Sequence, residues 1–440
     1  MILRISVISK KFLYYSLLIC IALLSVHFRT GAGSASGDFN VIAFSLRATL
    51  WFGAFLLAVM LFNPRLFVIK PSFVALNRTV VVYSWPGFMF LTLFSTVFSA
   101  LLFDVGVSGQ DSKEGIEVIG CFAIVLVVYN LLIRDPYLVK GILVVLLCLP
   151  AVQILGVIFV SPEFAEVLGV NRDYDLIWYF GYGNRFVGLL GNANSVAFQC
   201  CVALPILSNL LLSRHDRSKL LWGFVKAILA IYGCAIFAMV FLTGVRAAML
   251  SILIMLFVVI SYLPYRQRLQ FLAFGLVFGI LGAVAGIDIG IFEVIQERLS
   301  QSDGRMFIWE YYIEKLALNP LGYGLTFENV IDLTTIQNAS VEYTVRLTPH
   351  NTLLEAGVYS GLLGIILIII CLVAILQIVL SVLRRPFCGL NMWHKSACVA
   401  WIGLVVNAMF GSLLFGSWFF SILTAVILSA ENITKDKRVA

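Results

Sequence analysis

Charge is what this sequence has least of: Asp, Glu, Lys and Arg make up 12% of its 440 residues, against 61% apolar residues. A mean hydropathy of +1.01 excludes a soluble fold, whose surface needs far more ionised side chains. Ten-residue stretches of alternating polarity are missing too, and their absence excludes a membrane β-barrel. No Cys/His spacing resembles a zinc site. No internal repeat is present, and the middle of the chain has only the short connection Ser213–Lys219. Both points set it apart from transporters built of two duplicated six-helix halves.

What is present is a succession of apolar runs, each long enough to cross a hydrocarbon core of about 30 Å as a helix. Their centres fall near Leu18, Trp51, Phe90, Ile124, Val145, Phe198, Ala230, Met255, Val277, Ile368, Ile402 and Ile422. Backbone amides in lipid must be satisfied within the segment, so these runs are helices. The expectation is an all-α polytopic membrane protein of about 12 transmembrane helices, forming one domain over residues 1–440.

The net charge of +7 does not point to nucleic acid, because the basic residues are distributed for a membrane. They cluster in alternate short loops, at Arg4/Lys10/Lys11, Arg65/Lys70/Arg78, Arg134/Lys140, Arg214/Arg217/Lys219, Arg266/Arg268, Arg384/Arg385/Lys395 and Lys435/Lys437/Arg438. By the positive-inside rule these loops and both termini are cytoplasmic. The basic start, the apolar run Phe12–Val26 and the small residues Gly31–Gly37 also fit a signal peptide, but an uncleaved first span gives the even helix number that the C-terminal charges require. None of the nine cysteines falls in a predicted outer loop, so no disulfide framework is expected and most read as small packing residues.

Two outer segments are longer than the rest, Ser161–Arg185 and the hydrophilic stretch 293–350 between spans nine and ten. In the second, Ser302-Asp303 suits a helix cap, and Met306, Trp309, Ile313 and Leu316 recur at helical spacing. Asn319-Pro320-Leu321-Gly322 then ends the helix with turn residues. The expectation is an amphipathic helix on the membrane surface.

Candidate chemistry sits at this outer face. Arg185 opens the sixth span in a segment running on to Gly188 and Asn194; Arg246 lies in the tight turn Thr243-Gly244-Val245-Arg246; Arg305 follows Gly304; and His350 closes the long loop. Guanidinium groups stay charged and offer a planar fork to phosphate oxygens, so three of them on one face suit a polyanion. Arg246 is the sharpest of the three, since a charge between two apolar spans is costly unless paired or wet. Taken singly, the arginines also read as interfacial snorkelling residues, and His350 as a cap or surface residue. Arg47, about two turns inside span two, and Glu355, one turn beyond His350, are further candidates. Asp173-Tyr174-Asp175 has the spacing of a metal-holding DxD, but no α/β domain surrounds it. The first outer loop, Thr30–Asn40, holds a single acid, Asp38, and so lacks the paired carboxylates of metal-dependent lipid-linked sugar transferases.

Taken in order, these motifs resemble the O-antigen ligase/polymerase superfamily. The residues that carry the likeness are Thr243-Gly244-Val245-Arg246, Gly304-Arg305 with Trp309 and Asn319-Pro320-Leu321-Gly322, and His350-Asn351-Thr352-Leu353-Leu354-Glu355 with Gly361-Leu362-Leu363-Gly364. Arg185, Gly188 and Asn194 fit its upstream motif. The resemblance implies a GT-C-like inverting glycosyltransferase in the bacterial inner membrane, with a periplasmic site and no metal or other cofactor. Its donor would be a glycan on undecaprenyl diphosphate and its acceptor lipid A-core. Arg185, Arg246 and Arg305 would neutralise the leaving diphosphate, and His350 would take the acceptor's proton. Asn194, Trp309, Asn351, Glu355 and Arg47 would support them. One dominant outer loop favours a ligase, while the second, Ser161–Arg185, keeps a repeat-unit polymerase open. A polysaccharide or lipid transporter is the alternative class; it calls for ionisable residues lining a pathway at mid-membrane, where only Arg47 and Glu355 come near.

Overall fold

A computed structural model describes residues 73–107, 109–159, 180–181, 185–186, 193–212, 219–263, 265–266, 268–269, 305–327, 335–338, 341–344, 349–386, 389–410 and 414–430. The helices among them are α1 (Phe73–Phe103), α2 (Gly109–Arg134), α3 (Leu138–Phe159), α4 (Ala193–Leu212), α5 (Lys219–Thr243), α6 (Arg246–Tyr262), α7 (Arg305–Leu318), α8 (Thr352–Leu383), α9 (Gly389–Ala408) and α10 (Trp418–Ser429). Two short antiparallel ribbons accompany them, β1 (Phe180–Gly181) with β2 (Arg185–Phe186) and β3 (Thr335–Asn338) with β4 (Val341–Thr344). Six of the described helices are long and apolar enough to span a bilayer: α1, α2, α3, α4, α5 and α8. The expected spans centred on Leu18, Trp51 and Val277, together with Arg47, Ser302-Asp303 and Asp173-Tyr174-Asp175, lie outside the described residues.

Large apolar side chains point outward from these helices, among them Phe90, Leu93, Phe94 and Val97 on α1 and Leu362, Leu363 and Ile366 on α8. Apolar faces of that extent are the surface of a protein whose solvent is lipid.

The described residues form two compact units. The first holds α3 to α6, β1, β2 and most of α9; the second holds α1, α2, α7, β3, β4, α8, the end of α9 and α10. In the first, α4 and α6 run parallel. Cys201 Sγ meets Ala248 O at 3.8 Å, and further along Tyr262 OH donates to Asn209 Oδ1 at 3.2 Å. At the latter end Asn209 Nδ2 donates to Met392 O (3.3 Å) and to the Ser396 hydroxyl, and the Lys395 ammonium lies 4.7 Å from the Tyr262 ring. Gln153 and Gln199 pair between α3 and α4 at 3.3 Å.

In the second unit α1 and α8 pack antiparallel. Asn77 Nδ2 donates to Gln377 Oε1 (2.7 Å) at one end, and the Thr92 and Ser360 hydroxyls pair (2.7 Å) nearer the other. The short α10 is buried along its whole length. Beside it, Trp85 stacks on Phe415 with ring centres 4.4 Å apart.

The feature that organises this unit is a break in α8. Gly361 has φ 66° and ψ −166°, a conformation open in practice only to glycine. A regular helix would send Leu362 N–H to Val358 O. Instead the turn after α7 enters the gap: Leu362 N donates to Pro320 O (2.9 Å), and Tyr323 N donates to Val358 O (2.7 Å). The turn is held by its own bonds, Gly322 N to Asn319 O (3.0 Å) and Asn319 Nδ2 to Gly322 O (2.8 Å). Backbones approach so closely that a Cβ on Gly322 would strike Gly361 N, and one on Gly361 would strike Pro320 O. On the other side the Ser95 hydroxyl donates to Leu321 O, and Leu325 N donates to Thr96 Oγ1 (2.8 Å). Gly324, at φ +61°, lies against the Thr96 backbone with no room for a Cβ. The Asn-Pro-Leu-Gly turn is thus a wedge between α1 and α8.

Gly361→Ala combines backbone strain with a collision at Pro320 O. It is expected to cost about 1–3 kcal/mol or more, read as a lower thermal unfolding midpoint of the purified protein in detergent. Leu321→Ala, on the open side of the same turn, should move that midpoint by the equivalent of less than about 0.5 kcal/mol. Equal effects would mean that the wedge does not bear on α8.

Candidate functional site

α7 and the first part of α8 lie side by side and run the same way. The contacts step forward together along both: Trp309 Nε1 donates to Pro349 O (3.0 Å), a Cβ on Gly357 would meet the Leu316 side chain, and Pro320 O accepts from Leu362 N. Two helix N-termini therefore point to one end of the unit. Each carries backbone N–H groups without intrahelical partners and the positive end of a helix dipole. Arg305 is the first residue of α7, and His350 and Asn351 immediately precede α8. That pairing suits a negatively charged ligand.

The loop before α8 is tightly specified. Asn351 is the N-cap, its Oδ1 accepting from Leu353 N (2.9 Å) and Leu354 N (3.2 Å). His350 has φ 46°, a left-handed value uncommon outside glycine. The cap is thus one residue beyond the histidine, and the capping role open to His350 in the sequence belongs to Asn351. Trp309 fixes Pro349 from the α7 side and lies 6.1 Å from the Phe410 ring. Glu355 follows in the first turn of α8, where the dipole favours a carboxylate, and is buried.

Tyr312 was not singled out from sequence, yet it belongs here. It is buried one turn beyond Trp309, and burial pushes its phenol above the ordinary range, with Tyr311 and the Glu355 carboxylate adding to the effect. It stays a neutral hydroxyl at any working pH. From Tyr312 a line of rings leads along α8: Phe327 lies 5.8 Å from Tyr312 and 6.0 Å from Tyr359.

The α7 face differs from the expected one. Met306 and Ile313, placed on the packing stripe by their spacing, are 73% and 57% exposed. Ile308 and Tyr312 face inward in their place, beside Leu316 of the expected stripe, with Trp309 half-buried. Leu316 belongs to both rows, so periodicity alone fits either; the packing of Tyr312 on Phe327 goes with the second.

In the other unit, Arg246 is the first residue of α6 and is exposed. Gly244 takes φ 61°, its N–H donating to Phe241 O (3.0 Å), and Thr243 Oγ1 donates to Val240 O (2.6 Å), which together make the turn. No side chain caps α6. An arginine in the first turn opposes the helix dipole, an arrangement that an anion relieves. Because α4 and α6 are parallel, Asn194 in the first turn of α4 lies at the same end as Arg246, and it too is exposed. Arg185 pairs across the ribbon with Gly181, and β2 packs on α5. Among the described residues, no group of three or more His, Cys, Asp or Glu is placed to hold a metal.

Residues 231–369, from α5 into α8, match the family model described as O-antigen ligase. Over that region the chain is similar to the O-antigen ligase family. The matched region contains Arg246, Arg305, Trp309, His350, Asn351 and Glu355; Arg47, Arg185 and Asn194 precede it. No curated protein gives a match.

Two substitutions test the loop before α8. Asn351→Ala should cost about 0.5–2 kcal/mol, seen as faster hydrogen exchange at Leu353 and Leu354, while Asn351→Asp keeps the cap and the protection. Trp309→Phe removes one hydrogen bond worth about 0.5–1.5 kcal/mol. It should speed exchange in the Pro349 segment and leave α9 and α10 unchanged.

Proposed function

We propose that this protein is an inverting, metal-independent glycosyltransferase that moves a glycan from undecaprenyl diphosphate to a lipid A-core acceptor at the periplasmic face of the inner membrane. The observation that carries the reading is the convergence of two helix N-termini on the His350 loop, inside the region matching the O-antigen ligase family. Such an end is built to hold negative charge, and the donor's diphosphate is where negative charge grows as the glycosyl C1–O bond breaks.

In this reading the acceptor hydroxyl attacks C1 from the side opposite the diphosphate, so the anomeric centre inverts. The hydroxyl's proton passes to His350, a new C1–O bond forms, and undecaprenyl diphosphate departs with the bonding pair. Arg185, Arg246 and Arg305 neutralise that leaving group. Trp309 and Asn351 hold the backbone on either side of His350, and Glu355 places a buried carboxylate one turn below it. Asn194 and Arg47 are supporting residues.

A polymerase joining lipid-linked repeat units is the second reading, favoured by the outer segment 161–185, whose described end forms the β1–β2 ribbon. Reconstitution with the lipid-linked glycan, with and without lipid A-core and in EDTA, decides between them by gel mobility. Glycan on lipid A-core is the expected product. Lengthened glycan on undecaprenyl diphosphate without acceptor would establish the polymerase, and no product beside an active control enzyme would favour transport. His350→Ala should lower turnover by about 10²–10⁴-fold. Arg246→Ala should lower it by about 10²–10³-fold, with Arg246→Lys recovering only part, because an ammonium lacks the planar fork.

A further inference from the structure

A cavity of about 220 Å³ opens between α1 and α2 in the second unit. Its walls are Phe88, Met89, Thr92 and Leu93 of α1 and Gly115, Ile116, Val118 and Ile119 of α2, closed at the back by Leu325 and Tyr359. The lining is almost wholly apolar; the Thr92 hydroxyl is engaged by Phe88 O and Ser360. Leu93, Ile116 and Ile119 at the rim are 55%, 43% and 40% exposed, so the cavity opens sideways, where the neighbouring outward Phe90 and Phe94 mark the lipid-facing surface. Water has no polar partners there, and a hydrocarbon chain fits.

The position of the cavity narrows the occupant. Tyr359 is eight residues along α8 from the cap Asn351, which at 1.5 Å per residue sets it about 12 Å along the helix from that cap, next to His350. The buried rings of Tyr359, Phe327 and Tyr312 pack in succession over that interval. A molecule with an anionic head at the paired N-termini and an apolar chain behind it spans this distance. A chain longer than the cavity would run out past the exposed Leu93, Ile116 and Ile119.

We propose that this slot seats the first isoprene units of a polyprenyl diphosphate whose head lies at the His350 end. The proposal rests on the donor reading above and adds the place where the donor's tail is held. Gly115 is a specificity position: a Cβ there would meet the Leu325 side chain at 3.3 Å, so the missing side chain keeps the slot open.

The test uses the full-length protein in phosphatidylethanolamine/phosphatidylglycerol nanodiscs. The probe is a short isoprenyl diphosphate carrying a diazirine on its second isoprene unit, with labelled peptides mapped by mass spectrometry. Label is expected on the Phe88–Leu93 and Gly115–Ile119 peptides, competed by undecaprenyl phosphate but not by added phosphatidylglycerol. Gly115→Leu should reduce labelling about ten-fold, equivalent to about 1.4 kcal/mol, the scale of about two buried methylenes. Leu93→Trp, which narrows the rim from the other helix, should act alike and serves if Gly115→Leu does not fold. Label unchanged in a folded variant, label mapping to α3–α6, or equal competition by phosphatidylglycerol would overturn the slot. Labelling needs no turnover. A preparation that labels the slot but transfers no glycan leaves the tail site standing against the transferase reading; one that transfers glycan but labels elsewhere overturns the slot alone.

Discussion

Two chains of backbone meet without side chains between them at Gly322 and Gly361, and the second unit is arranged around that meeting. Breaking a helix inside a membrane strands a donor and an acceptor, each costly in lipid. Here the stranded pair, Leu362 N and Val358 O, is satisfied by the turn that follows α7. The kink and the turn are therefore one structure, neither stable without the other. Because the turn ends α7, the same bonds set how far α7 slides along α8, and hence how Arg305 and Trp309 stand against His350. A polar loop and an apolar span become parts of one device through the atoms that all residues share.

Elsewhere the helices are matched by sparse polar contacts. Lipid offers little hydrophobic drive for one helix to choose another, so hydrogen bonds and close small-residue contacts carry much of the selectivity. Asn77 with Gln377 and Thr92 with Ser360 give α1 and α8 one register, while Gln153 with Gln199 does so for α3 and α4. The group around Asn209, Tyr262, Ser396 and Lys395 ties α4, α6 and α9 at the end opposite Arg246. At the opposite end, the first turns of α4 and α6 carry the exposed Asn194 and Arg246.

Sequence revealed what depends on hydropathy and turn chemistry. The described spans sit where apolar runs are long, the Thr-Gly-Val-Arg turn connects α5 to α6, and the Asn-Pro-Leu-Gly turn ends α7. Arg305, Trp309 and His350 were legible because polar and aromatic residues are conspicuous in such a chain. What stayed hidden depends on long-range geometry. Gly361 inside an apolar run looks like any small packing residue, and only the positive φ and the Pro320 carbonyl disclose a break. Tyr312 was masked because α7 is apolar on two rows, and the choice between them goes with the packing of Tyr312 on Phe327. The parallel course of α7 and α8 leaves no periodic trace, since it is set by backbone bonds.

The pairing of α1 with α8 has a consequence for how the protein is made. The partners of Asn77 and Thr92 lie 300 and 268 residues further along the chain. At synthesis rates of about 5–20 residues per second, they follow roughly 15–60 s behind. For that interval α1 carries Asn77, Thr92, Ser95 and Thr96 into the bilayer with its later contacts unmade. Its early companion is α2, which leaves the translocon next. A nascent chain halted before residue 352 would thus lack the α8 partners of Asn77 and Thr92, while the Thr92 and Thr96 hydroxyls still bond within α1, to Phe88 O and Thr92 O.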